Sequence, residues 1–313
     1  MTATDEVFMR AALLCSLLLG AAACGSDDAA SPVDAAADGA TDPDGGSGGP
    51  GLGSLRAVEE RWINPETGEL SSTSRFDGWY FDGPQPPWHR EVARSGACVL
   101  RRYTPAFCDP ACALGTLCVD TDVCLAPPRF ESAGTLTVTG LTVPITLAST
   151  TGYYQHTDGL PTDLFTDSAT VTATLAGAVV PAHTLVARGV PPLVAAIGNF
   201  RTLTPGQDHT ITWTPAGGDA LVRLLFNSNN IGHGAPYFGI IDCDVPDADG
   251  QITVAAALVD GFPETGPWQV CAGSDCPPST LTRYHRATAT TTAGTAELIV
   301  GSQLSFGVDH SLE

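Results

Sequence analysis

The chain is predicted to be all-β, a sandwich of antiparallel strands. Three observations carry that expectation. Threonine and apolar residues alternate in short runs from residue 130 onward, Gly, Pro and Asp punctuate the gaps between runs, and only 255–260 reads as helical, for about one turn. An antiparallel sheet with one face on a core and one in water requires that alternation, because successive side chains point to opposite faces.

The runs follow one another in order. Thr135-Leu136-Thr137-Val138-Thr139 alternates strictly, Gly140 turns the chain, and 143–147 continues. Residues 169–175, 209–213 and 221–226 repeat the pattern, and 252–254, 287–292 and 296–300 complete the set. Between 206 and 254 a strand ending at Trp213 turns through Thr214-Pro215-Ala216-Gly217-Gly218 into the next strand. Ile240-Ile241-Asp242-Cys243-Asp244 follows after a loop. A core Trp, a core Cys and an acidic turn between strands resemble an immunoglobulin-like antiparallel β-sandwich, a fold that hosts many functions. The span 130–313 is long enough for one large or two small sandwiches.

The first residues read as an export signal. Met9-Arg10 is a short basic start, 11–19 is apolar, and Gly20-Ala21-Ala22-Ala23 leads to Cys24. This layout resembles a bacterial lipoprotein signal, 1–23, with Ala21 where the lipobox usually has Leu. The resemblance implies cleavage before Cys24 and a lipid, palmitate included, on that residue. An ordinary secretory signal is the alternative. Asp5 and Glu6 are foreign to such a start, so translation from Met9 fits better than from Met1. The apolar run falls far short of the ~20 residues that span a bilayer, so the expected membrane attachment is the lipid. Residues 24–54 are Ala, Asp, Gly, Ser and Pro with almost nothing to bury, and read as a disordered acidic tether.

Charge and cysteines bound the function. The formal net charge is -20, and all 14 basic Lys or Arg residues are arginine. That balance argues against nucleic acid as a partner, because phosphate binding needs clustered cations. Beyond Cys15 and Cys24 the chain carries Cys98, Cys108, Cys112, Cys118, Cys124, Cys243, Cys271 and Cys276, an even set that suits disulfides in an oxidising compartment. Within 55–129, an aromatic-rich stretch (Trp62, Phe76, Trp79, Tyr80, Phe81, Trp88) precedes a turn-rich segment holding four of these cysteines. The aromatics read mainly as core, with sugar stacking as the alternative if they are exposed.

Too little apolar sequence lies between Cys108 and Cys124 to make a core, so covalent staples are expected to hold a small disulfide-rich insert. Local pairing of Cys108 with Cys118 and Cys112 with Cys124 is favoured among the three connectivities. Zinc is the rival, but the C-x-x-C pairs it prefers are missing. Cys271 and Cys276 read as a local staple, which leaves Cys98 and Cys243 to clamp the insert onto the sandwich.

The spacing Cys108-Asp109-Pro110-Ala111-Cys112-Ala113-Leu114-Gly115-Thr116-Leu117-Cys118 resembles a C-x-P-x-C-x-x-G-x-x-C insert in predicted lipoproteins of predatory and myxobacterial-type Gram-negative bacteria. In those chains a tethered signal, this insert and a β-rich region follow one another. The resemblance implies architecture and no activity.

Two constellations are candidates for chemistry. Asp242, Asp244, Asp247 and Asp249 offer carboxylates to a hard cation, so calcium is the one cofactor considered, although an EF-hand pattern is absent and Asp and Gly also suit plain turns. Asn227, Asn229, Asn230, His233 and Tyr237 lie on an amide-rich loop suited to a polar ligand or simply to its own backbone. No catalytic residues are identified: the seven histidines are scattered and no metalloprotease motif occurs. The expectation is a lipid-anchored envelope lipoprotein, held at the outer membrane or cell surface, with the periplasmic face as the alternative. It binds or supports a protein or polysaccharide without catalysis. An exported hydrolase acting on glycans or peptides is the alternative.

Overall fold

The computed structural model describes residues 51–64, 67–83, 89–228, 239–265 and 278–311. The signal, Cys24 and the tether up to residue 50 lie outside them, as do Trp88, Asn229, Asn230, His233, Tyr237, Cys271 and Cys276.

In chain order the strands are β1 (Gly51–Ile63), β2 (Leu70–Tyr80), β3 (His89–Ser95), β4 (Cys98–Tyr103), β5 (Leu117–Asp120), β6 (Val123–Leu125), β7 (Thr135–Thr139), β8 (Ile145–Ala148), β9 (Tyr153–His156), β10 (Thr170–Leu175), β11 (His183–Arg188), β12 (Phe200–Leu203), β13 (His209–Thr212), β14 (Leu221–Asn227) and β15 (Gly239–Pro246). A 3-10 turn at Asp247–Asp249, β16 (Gln251–Val254), helix α1 (Ala256–Gly261), β17 (Ser279–Thr291) and β18 (Gly294–His310) complete it. The fold is all-β and sandwich-like, as the alternation requires. β1 begins at Gly51, so the strand takes up residues 51–54 that composition assigned to the tether.

One large sheet runs β3-β4-β15-β14-β17-β18-β1-β2-β9. A second sheet, β11-β10-β7-β8, and the β13-β16 ribbon cover it. The 17-residue β18 organises the molecule. Its first part pairs in parallel with β1, Gly51↔Thr295 through Arg61↔Leu304, and its end pairs in parallel with β12, Phe200↔Gly307 through Leu203↔His310. The sheet is therefore mixed, not purely antiparallel.

Two apolar cores lie along the same face of β18. Ala296, Leu298 and Val300 join Leu55, Phe76, Tyr80, Leu136, Val138, Val171 and Leu175 beneath the second sheet. Phe306 and Val308 join Trp213, Val222, Leu224, Phe226, Ile241, Ile252, Val254, Phe262 and Leu281 around the ribbon and α1. Each fully buried Phe or Leu contributes roughly 1.5–3 kcal/mol. Period 2 explains the alternation: even-numbered β18 residues turn inward from 296 to 310, with Ser302 at the joint between the cores.

That joint is polar and built around a Pro-Pro segment. Pro191 and Pro192 carry no N–H, so their carbonyls are acceptors without a ladder, and Arg283 Nη1 donates to Pro192 O at 2.9 Å and to Pro191 O at 3.3 Å. Arg283 Nη2 donates to Thr214 O at 2.6 Å, and Leu193 N donates to Ser302 Oγ at 3.0 Å. Arg61 Nη2 donates to Leu193 O and, at 3.3 Å, to Ser302 Oγ. The chain thus crosses from one core to the other over a row of polar side chains, Arg283 on β17 and Arg61 on β1 donating and Ser302 on β18 accepting.

Candidate functional site

The disulfides define the stapled region. Cys108–Cys118 and Cys112–Cys124 close the insert around the β5-β6 hairpin, in which Cys118 and Cys124 are cross-strand partners. The Sγ atoms of Cys108, Cys112 and Cys124 cluster within 4.8 Å of one another, but each is committed to a disulfide and offers no thiolate to zinc. Cys98–Cys243 joins directly opposed residues of β4 and β15, both essentially buried. The bond lies within the large sheet, where an immunoglobulin-type bridge would link two sheets. Trp213 still shares its core. It holds the β3-β4 hairpin, from which the insert departs, onto the sheet.

The four aspartates do not form a shared turn. Asp242 and Asp244 stand on β15, and only Asp247 and Asp249 belong to the 3-10 turn. Arg223 Nε donates to Asp242 Oδ1 at 2.7 Å and its Nη2 to Oδ2 at 2.9 Å, while Arg101 Nη1 donates to Oδ2 at 3.0 Å. Tyr284 Oη donates to Asp244 Oδ2 at 2.6 Å. Burial raises the Asp244 carboxyl above the usual carboxylate range, against the lowering by that hydrogen bond and by Arg223. Burial first, then Asp244, raises the Tyr284 phenol. Asp247 is enclosed on the core side, accepting from Arg283 and, at 2.7 Å, from Ala216 N, whereas Asp249 is exposed. Arginines hold Asp242 and Asp247, Tyr284 holds Asp244 and Asp249 is exposed, so among the described residues the four carboxylates do not gather into the calcium site that was expected.

Of the five candidate residues on the amide-rich loop only Asn227 is described. It is buried, its N–H donating to Ser279 Oγ at 3.0 Å, which makes it a strand-end residue instead of a loop contact.

The outer face of the large sheet is the polar surface that remains. Odd-numbered β2 residues and even-numbered β1 residues point there. Across it, Glu60 Oε1 accepts from Ser305 Oγ and from Gln303 Nε2 (3.3 Å), Thr282 Oγ1 donates to Gln303 Oε1 at 3.2 Å, and Arg75 Nη1 lies 3.3 Å from Glu60 Oε2. At the β9 edge, Trp79 pairs in register with Ser54 on one side and Tyr153 on the other, and Asp77 pairs with Arg56 and Gln155. Tyr153 is 46% exposed and Trp79 half-buried, while Phe76, Tyr80 and Tyr154, of opposite parity, are in the core. Gly152, at φ 82°, admits the turn into β9, since a Cβ there would stand 2.4 Å from Glu131 O. The aromatic-rich stretch therefore divides by parity between core and surface. Alternation around Trp79 signalled this split; the partner Tyr153 lies some seventy positions away with no local mark of its role.

No protein-family model matches the chain, and no curated protein aligns with it.

Proposed function

We propose that the chain is a lipid-anchored, disulfide-stapled β-sandwich of the cell envelope, a non-catalytic module that contacts a protein or polysaccharide. In this reading the signal is removed before Cys24, the lipid on Cys24 holds the chain to the membrane, and the acidic tether presents the sandwich.

The observation that carries the binding reading is the insert. Phe107 is 72% exposed, Leu125 54% and Leu114 fully exposed, all within a segment held by two disulfides. Large apolar side chains left this exposed on a stapled segment are available for contact with a partner. A stapled backbone loses little further freedom on association, which favours affinity. The arginine-paired carboxylates Asp242 and Asp247 fit the same reading, because they support the sheet and its joint.

Two measurements test it. Labelled palmitate is expected to enter the membrane-bound wild-type chain and not Cys24→Ser; label in neither would remove the anchor. The oxidised full-length chain is expected to retain an envelope component that Phe107→Ser/Leu114→Ser does not. Equal retention by both chains rules out the insert as the contact, and turnover of a glycan or peptide by the purified chain overturns the non-catalytic reading.

A further inference from the structure

We infer that the disulfide-rich insert docks into an apolar groove rimmed by lysine or arginine on a partner protein. The inference rests on the binding-module reading and deepens it, naming protein over polysaccharide as what the insert meets and the charge that protein carries there.

The β5-β6 ribbon has two unlike faces. Cys118 opposes Cys124, and both turn to the staples. Leu117 opposes Leu125, and Val123 stands two residues before Leu125, so period 2 puts these three side chains on the other face. Asp122 N donates to Phe107 O at 3.1 Å, which sets Phe107 beside the ribbon's turn. Val123 and Leu125 are exposed, as are Phe107 and Leu114. The two disulfides hold this segment in place, so a partner need not order it.

The charges around that face select the occupant. Besides its bonded cysteines, segment 104–128 carries Asp109, Asp120 and Asp122, all exposed, and no Arg, Lys or His. Asp120 is paired with Arg90 at 3.0 Å. The other arginines of β3 and β4 turn elsewhere, Arg94 to Glu91, Arg101 to Asp242 and Arg102 to Gly261 O. Arg129, just after the segment, is held by Asp82 and Glu131. Asp122 Oδ1 accepts from Asp109 N at 2.9 Å, so the two remaining acidic residues adjoin, with no ion pair to either among the described residues. An apolar face is buried best against apolar area, and carboxylates beside it gain from cations that a partner supplies. A neutral polysaccharide supplies no cation. An anionic lipid surface repels the two carboxylates, and a second copy of this chain, with formal net charge -20, brings the same ones to the contact. A protein groove with Lys or Arg at its rim meets both needs.

The test is fluorescence anisotropy with two labelled amphipathic peptides, each a leucine-faced helix, one with lysine and one with glutamate on its polar face. The oxidised full-length chain is held in phosphatidylcholine nanodiscs, and binding to empty nanodiscs is subtracted. The Leu/Lys peptide is expected to bind and the Leu/Glu peptide not. Phe107→Ser/Leu114→Ser is expected to weaken binding about tenfold or more, and Asp109→Asn/Asp122→Asn about threefold or more. In Asp122→Asn the amide oxygen still accepts from Asp109 N, and the side chain suits the φ of 56° there. That variant therefore reports on binding even where the serine variant misassembles, a case that peptide mapping of the staples identifies. Equal binding of the two peptides, or binding of neither, overturns the inference, as does unchanged affinity in Asp109→Asn/Asp122→Asn. An equal loss in Asp158→Asn/Asp167→Asn, exposed carboxylates outside the insert, overturns it too, since the attraction would then come from the acidic chain as a whole. An envelope component retained through Phe107 and Leu114, with no preference for the Leu/Lys peptide, overturns this inference and leaves the binding-module reading standing.

Discussion

Arg283 and Asp247 form an ion pair at 2.8 Å with side chains 2% and 0% exposed, on the line where the two cores meet. The guanidinium also donates to the carbonyls of Pro191, Pro192 and Thr214, and the second carboxylate oxygen accepts from Ala216 N. Trp213 Nε1 donates to the Asp247 carbonyl at 3.0 Å. One pair thus ties β17, the 3-10 turn, the Pro-Pro crossing and the turn after β13. A fully buried pair adds little net stability over an apolar replacement, but losing one partner strands a charge.

Arg283→Met is therefore expected to cost about 3–5 kcal/mol in urea unfolding, with Asp247 left uncompensated. Arg283→Met combined with Asp247→Asn is expected to cost less than the single change. A double variant as unstable as the two single losses added together would show that the pair is not the coupled unit described.

The buried Cys98–Cys243 bond spans a sequence separation of 145, and the insert bonds 10 and 12. Loop-closure entropy grows with length, so Cys98→Ser/Cys243→Ser is expected to cost about 4–5 kcal/mol, more than opening either insert bond. In the folded chain, mild reductant should reach the exposed Cys124 first and Cys98–Cys243 last. Alkylation and peptide mapping along a reduction series read that order; early labelling of Cys98 contradicts it.

His209 packs against Phe226 at 5.6 Å between ring centroids, and burial, with Arg201 adding to it, lowers its pKa below the ordinary 6.5. The unfolded chain then binds the proton more readily. The stability gained from a neutral His209 is present above pH 6.5 and is lost as pH falls through that value toward the folded-state pKa. His209→Gln is expected to flatten this part of the stability profile, measured as urea midpoints between pH 7 and about 5.

Asp244 has the opposite sign. Its folded pKa is raised above 3.8, mainly by burial, so its contribution is fully present at low pH and declines as pH rises through the folded value. Asp244→Asn keeps an oxygen to accept from Tyr284 and removes the buried charge. It is expected to hold or raise the melting temperature at neutral pH; a marked fall there would mean that the ionised carboxylate stabilises the sheet.

Calcium is expected to leave the described aspartates alone. With Asp242 held by Arg223 and Arg101 and Asp247 by Arg283, millimolar calcium or a chelator should not move the melting temperature. A saturable shift abolished by Asp242→Asn would refute that.

Much of the fold was legible because alternation is local. Thr135–Thr139, His209–Thr212 and Leu221–Asn227 are strands where the pattern placed them, and the one short helix falls at Ala256–Gly261. Less legible were β17 and β18, whose full lengths hide behind buried polar residues such as Arg283, Ser302 and Gln303. Those residues break an apolar count without breaking a strand, because their partners are supplied from distant segments. Asp242 and Asp244 were grouped with the turn by proximity in sequence, although period 2 places them on the sheet.

The sequence by itself determined the strand class, the need for staples in a segment too poor in apolar residues to pack, and the acidity of the chain. Each is a local or compositional property, set by side-chain period, apolar content or charge. Only the tertiary structure decided that β18 pairs in parallel with both β1 and β12, that arginines hold Asp242 and Asp247, and that Trp79 and Tyr153 are register partners on neighbouring strands. Those relations join residues far apart in the chain. They depend on which strands become neighbours, a choice made by burying both cores together and not by any single run.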